Sequence, residues 1–292
     1  MILNLVLAAF SGWGLGYLIR RITPYLLGKK DKSSPFSWPW VELMTAICFM
    51  ALALHGDLEP WSLKWYLFAL LLMAISSTDF LSKLIPDSLT FGGTFFGIVL
   101  AMISPGEIHH FLSQGAVLQY FSYSPSVVNW QTGLILSISG AVMGFCTLEL
   151  IRRIIGRMTG MEVMGVGDSC ILMMIGSFLG PKMVLISIFP ASIFGILIGL
   201  YFKWFKNSPH SPFGPALALG GLVQYLYWQH INGSIDGFYS IMYSLPRWVI
   251  GIFGLILLCI LFVLILRIKN RAAEYERLIN EDYDQITKDL ED

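Results

Sequence analysis

The stretch "LKWYLFALLLMAISSTDFLSKLIPDSLTFGGTFFGIVLAMIS", residues 63–104, decides the fold. Two apolar runs, about 63–78 and 89–104, flank a polar break that carries Asp79, Lys83, Pro86 and Asp87. Apolar runs near 20 residues are the length a helix needs to cross a bilayer. A proline and two acids between two such runs read as a turn at the membrane boundary. An acid at that depth is costly unless it has a partner or a task.

The rest of the chain has the same character. Of its 292 residues 55% are hydrophobic and only 13% charged, with a mean hydropathy of +0.68. Soluble domains carry about a quarter charged residues, so the composition predicts an all-α, polytopic integral membrane protein. The formal net charge is zero, which gives no electrostatic basis for nucleic-acid binding. Cys48, Cys146, Cys170 and Cys259 stand singly, without the paired spacing of a zinc ribbon or a disulfide framework.

Nine candidate spans lie at about 1–19, 40–55, 63–78, 89–104, 130–151, 168–180, 183–203, 214–229 and 246–267, giving an expectation of eight to nine transmembrane helices. The apolar N-terminus has no basic residues before it and reads as a retained first span. Lys and Arg concentrate in alternate connections: 20–39, 152–167, 203–213 and the segment opening with Arg267. The intervening connections, 56–62, 105–129 and 230–245, have none, and 181–182 has only Lys182. The positive-inside rule then sets the N-terminus outside and the C-terminus in the cytoplasm. We divide the chain into a membrane domain, 1–235, with a short cytoplasmic loop at 20–39, an additional span within 236–270, and a charged tail, 271–292. In that tail Tyr275, Leu278, Ile279 and Tyr283 recur at helical spacing. His55, His109 and His110 fall in outer loops and read as solvated.

On this topology Asp79 ends the third span and Asp168 begins the sixth, so both sit at the same membrane face although 89 residues separate them. Two carboxylates held close in a poorly solvated site cannot both ionise. One then serves as general base toward water and the other, protonated, polarises a carbonyl. Asp168 follows "GVG", where Gly165 and Gly167 leave backbone open to close approach. Taken alone, these four residues also read as glycine packing plus a helix N-cap aspartate.

Four ordered segments together are more specific. "STDFLSKLIPDSLT" at 77–90 and "EVMGVGD" at 162–168, with "SWPWVELMTAICF" at 37–49 and "SPFGPALALGGLV" at 211–223, resemble the type IV prepilin peptidases, the GxGD-type intramembrane aspartyl proteases. The resemblance implies that Asp79 and Asp168 are the catalytic pair and that Gly165 and Gly167 form the backbone motif. Pro86, Asp87 and Thr90 belong to the first signature, Glu162 to the second, and Glu42 to the P-x-x-E-L-x-T segment. It implies cleavage of the leader from prepilins or pseudopilins at the cytoplasmic face of the bacterial inner membrane, with no cofactor for proteolysis. Bifunctional members also methylate the new N-terminus with S-adenosylmethionine. The 20–39 loop lacks the two CxxC pairs that bind zinc in many members and are associated with methyl transfer, so no zinc is expected here. The family commonly has a lysine where this chain has Cys170. Two other readings stand beside the protease: a catalytically altered membrane scaffold, and a transporter relaying protons or ions through Asp79 and Asp168. Against the transporter, both acids lie at one face and no inverted repeat is evident.

Overall fold

The computed structural model describes residues 2–26, 39–55, 63–106, 108, 128–159, 164–205, 211–227 and 267. Among them every regular element is helical, and no strand occurs. The helices are α1 (Ile2–Leu26), α2 (Trp40–His55), α3 (Leu63–Ser82), α4 (Asp87–Ile103), α5 (Trp130–Thr159), α6 (Val166–Phe205) and α7 (214–227). Four stretches are long and apolar enough to cross a membrane, Leu3–Leu26, Leu63–Ser82, Trp130–Met158 and Val166–Phe205; Trp40–Leu54 and Asp87–Ile103 are shorter apolar helices. Large apolar side chains such as Phe10 and Phe189 face outward, as lipid-facing residues do.

Contacts divide the chain into two units, Met1–Glu149 with Val166–Asp236, and Leu150–Gly165 with Gly237–Asp292. In the second unit the described residues are 150–159, where α5 ends, with 164–165 and 267. The expected span at 246–267 (apart from Arg267), the outer-loop His109 and His110, the His55 side chain and the tail helix lie outside the described residues.

The first unit holds the core. Phe68 and Ile75 of α3, Ile171, Leu172, Met174, Ile175 and Phe178 of α6, and Leu217 of α7 are fully buried. Glycines set the closest approaches. A Cβ on Gly140 would strike the Gly176 carbonyl, and one on Gly176 would strike the Gly140 carbonyl. The sequences there, "GAVMG" at 140–144 and "GSFLG" at 176–180, are two small-xxx-small faces meeting. On α1, Gly12 and Gly16 likewise abut the α2 backbone at Ala46 and Glu42. Arg20 Nε donates to Glu42 Oε1 at 2.7 Å beside that contact.

Three boundaries differ from the sequence expectation. Arg20 and Arg21, expected in a loop, are helical in α1, and Arg152, Arg153 and Arg157 extend α5. Long basic side chains carry their heads to water while the backbone stays helical, so charge alone does not end a span. The polar "SSTD" run does not end α3 either. Ser76, Ser77, Thr78 and Ser82 each donate a side-chain hydrogen bond to a carbonyl three or four residues back, on Leu72, Ala74, Ile75 and Thr78. Their hydroxyls are satisfied inside the helix.

The sixth and seventh expected spans are continuous in sequence as α6 but break at Gly180, whose φ of 81° and ψ of 175° are not helical. A Cβ on Gly144 would touch both the Leu172 carbonyl and Val184. Twelve residues of straight helix span roughly 18 Å, so the chain must double back at Gly180. Pro181 then opens the second limb, where its missing N–H costs nothing. That backbone region is almost exclusive to glycine. Gly180→Ala is expected to destabilise the fold by about 1–3 kcal/mol, read as a lowered midpoint of thermal unfolding in detergent.

Candidate active site

Asp79 and Asp168 are brought to one level by the register of four helices against the first limb of α6. The rings of Phe68 and Phe178 are 4.9 Å apart. Phe68 precedes Asp79 by eleven residues and Phe178 follows Asp168 by ten, so the antiparallel helices carry both acids to the same layer. In α4, Gly93 packs on Met174 and Gly97 on Ser177 and Phe178, while Ile85 just before the helix packs on Gly167. This parallel pair puts Asp87 in that layer too. On α5, Ser137 Oγ donates to the Ser177 carbonyl at 2.6 Å, and Gly144 meets Leu172. Continuing that antiparallel pair brings Glu149 level with Asp168.

Helix α7 closes the set. Trp65 stacks on Tyr225 at 3.8 Å, Gly221 packs on Ile175, and Gly214 reaches Asp79. The Gly214 N–H donates to Asp79 Oδ2 at 2.8 Å across 135 residues of sequence. Asp79 is buried, with 4% of its surface exposed, and Asp168 with 7%. Lys83 follows α3 with φ 55°, and its N–H donates to the Asp79 carbonyl at 2.8 Å. That single bond from a left-handed residue is the αL form of helix C-cap, here made by a non-glycine. Its ammonium lies close enough to Asp79 for its charge to act on the carboxylate.

Asp168 stands in the first turn of α6, where unpaired amide dipoles favour an anion, and not at the cap position. A Cβ on Gly167 would lie 2.9 Å from Ile85 Cδ1 and 3.3 Å from its Cβ, so Ile85 would have to shift to admit one. Gly165 precedes the helix. Cys170 is buried one residue beyond Ser169, close enough to Asp87 and Glu149 for their charges to act on it.

The remaining sequence candidates separate. Pro86 caps α4, and Asp87, its first residue, is exposed, so its carboxylate complements the helix N-terminus. Thr90 is buried and donates to the Asp87 carbonyl at 3.1 Å, holding that first turn. Glu42 lies between α1 and α2 against Arg20, a structural position. Glu162 lies outside the described residues. Among the described residues, no group of three His, Cys, Asp or Glu side chains could hold a metal ion. The donor that touches Asp79, Gly214, lies in the quoted "SPFGPALALGGLV" segment, but a backbone N–H has no side-chain signature. Its signal was a glycine where a helix begins.

Residues 66–200 match the model of the Type IV leader peptidase family. Over this segment, a little under half of the chain, the sequence resembles that family. A prepilin leader peptidase/N-methyltransferase of Dichelobacter nodosus is 30% identical over 200 residues, which is 68% of this chain and 60% of that protein. One of the same name from Xanthomonas campestris is 27% identical over 71% of this chain and 63% of its own length. A type 4 prepilin-like proteins leader peptide-processing enzyme of Escherichia coli is 26% identical over 64% and 60%. The chain thus spans about three fifths of the length of the curated relatives it matches. No solved structure matches it.

Proposed function

We propose that this chain is an intramembrane aspartyl endopeptidase that removes the leader from type IV prepilins or pseudopilins, with Asp79 and Asp168 as its catalytic pair. The observation that carries the reading is the shared layer: two buried carboxylates on different helices at one end of the bundle. In the reaction an ionised carboxylate takes a proton from water as the hydroxyl adds to the scissile carbonyl. The other carboxyl gives its proton to the carbonyl oxygen, forming a gem-diol. Collapse breaks the C–N bond, and the departing amine takes up a proton.

The finer topology belongs to the same proposal: eight to nine spans, N-terminus outside, C-terminus cytoplasmic, in the bacterial inner membrane. The site then opens to the cytoplasmic face, where a basic leader arrives and the pilin's apolar helix stays in the bilayer. Asp87, exposed in the same layer, is the residue we assign to meeting that leader. Likeness to a peptidase family over residues 66–200 and the terminal position of both acids support this over a proton relay, which places its acids near mid-depth.

Methylation is carried in the names of two of the relatives, not by any residue described here. The 20–39 segment has no cysteine, which separates it from the zinc-loop members it otherwise resembles. The test is cleavage of a reconstituted precursor with a basic leader and a Phe or Met after the cut. We expect a shortened product from the native chain. Product formed at the native rate by both Asp79→Asn and Asp168→Asn would overturn the assignment.

A further inference from the structure

We propose that Gly214 is a positioning residue: its backbone N–H reserves Oδ2 of Asp79, so that Oδ1 is the oxygen that works on the water. This rests on Asp79 and Asp168 being the catalytic pair. The bond is 2.8 Å long and buried. An N–H donor needs a lone pair, and the hydroxyl oxygen of a protonated carboxyl is a poor acceptor. Oδ2 is therefore kept proton-free, and any proton shared by the pair resides on Oδ1 or on Asp168.

Two features make Gly214 suited to this. It opens α7, a helix of fourteen residues, so its N–H belongs to the first turn and has no acceptor within the helix. Pro215, next in the chain, has no N–H, so it offers the carboxylate no competing donor. Glycine is also required sterically, since a Cβ at 214 would lie 2.6 Å from Oδ2 and 3.1 Å from both Cβ and Cγ of Asp79. Phe213 anchors the turn behind it, its carbonyl accepting the Leu217 N–H at 3.1 Å and its ring filling the space beside Gly195. Asp79 is thus held at both ends: its own carbonyl caps α3 through Lys83, and its side chain meets the first turn of α7.

The deciding variant removes the hydrogen and adds no atom: glycolate in place of Gly214, introduced by cell-free translation, turns the amide into an ester. We expect kcat to fall about 10- to 100-fold, as for loss of a hydrogen bond to a charged group, with KM and the unfolding midpoint unchanged. Gly214→Ala, which displaces the carboxylate, should lower kcat further at similar KM. Native kcat in the ester variant would overturn the proposal. Amide exchange tests the anchor without cleavage: the Gly214 N–H should exchange at least about tenfold faster in Asp79→Ala, by loss of its acceptor. Unchanged exchange would overturn the anchor. If the native chain fails to cleave while exchange at Gly214 depends on Asp79, the peptidase reading falls and the anchor stands.

Discussion

Asp79→Asn and Asp168→Asn are each expected to slow leader cleavage by about 10²–10⁴-fold, the range lost with a general acid or base, and the double variant by no more than the worse single. The reason is geometric. In the proposed reaction one carboxylate cannot both take a proton from water and hold a proton for the carbonyl, so the two would work as a unit. Removing either member stops the same step, and residues acting as a unit give grossly non-additive losses. Single-turnover rates in detergent, extrapolated to saturating substrate, measure this. Losses that multiply in the double variant would mean two independent contributions and would contradict a shared pair. Asn keeps the shape and an acceptor oxygen for the Gly214 N–H, so a folding defect is not expected to confuse the result.

The largest expected effect on stability is at Gly140. Its Cα faces the Gly176 carbonyl and the Gly180 backbone, with no flexible side chain between that could yield. Gly140→Leu should force α5 and α6 apart and cost about 3 kcal/mol or more, beyond the usual range for overpacking because backbone cannot repack. The separation would also disturb the layer below, since Asp168 is carried by the same limb of α6. Gly14 is the control: a Cβ there meets nothing within 4 Å. Thermal unfolding in detergent should show a large loss for Gly140→Leu and little change for Gly14→Ala. Equal midpoints would contradict the close packing of the two helices.

Much of this site could be read in the sequence, and the parts that could not have definite causes. Asp79 and Asp168 were separable from the other acids because apolar runs flank them and the basic connections alternate along the chain. The structure brings both to one layer, and Asp87 joins them there. The helix ends were less legible. By charge alone Arg20 and Arg152 read as loop residues, whereas snorkelling side chains let the helix continue. The serines and threonine before Asp79 looked like a break, because hydroxyls that bond back to their own helix are indistinguishable in sequence from hydroxyls in a turn. The reversal expected at 181–182 lies one residue earlier, at Gly180, where the backbone needs a conformation proline and lysine cannot take. "GAVMG" and "GSFLG" carried the α5–α6 contact openly, as repeated small residues at helical spacing. Gly214 is readable only as a glycine where a helix begins; that its N–H meets Asp79 leaves no pattern across 135 residues.

The most direct test is mass spectrometry of a pilin-like precursor recovered from cells in which this chain is the sole leader peptidase. The expected product has a mature N-terminus that begins immediately after the basic leader, and the same spectrum reports whether that N-terminus carries a methyl group. A precursor recovered with its leader intact, in cells that contain the folded protein in their inner membrane, would contradict the assignment of Asp79 and Asp168 as a peptidase pair.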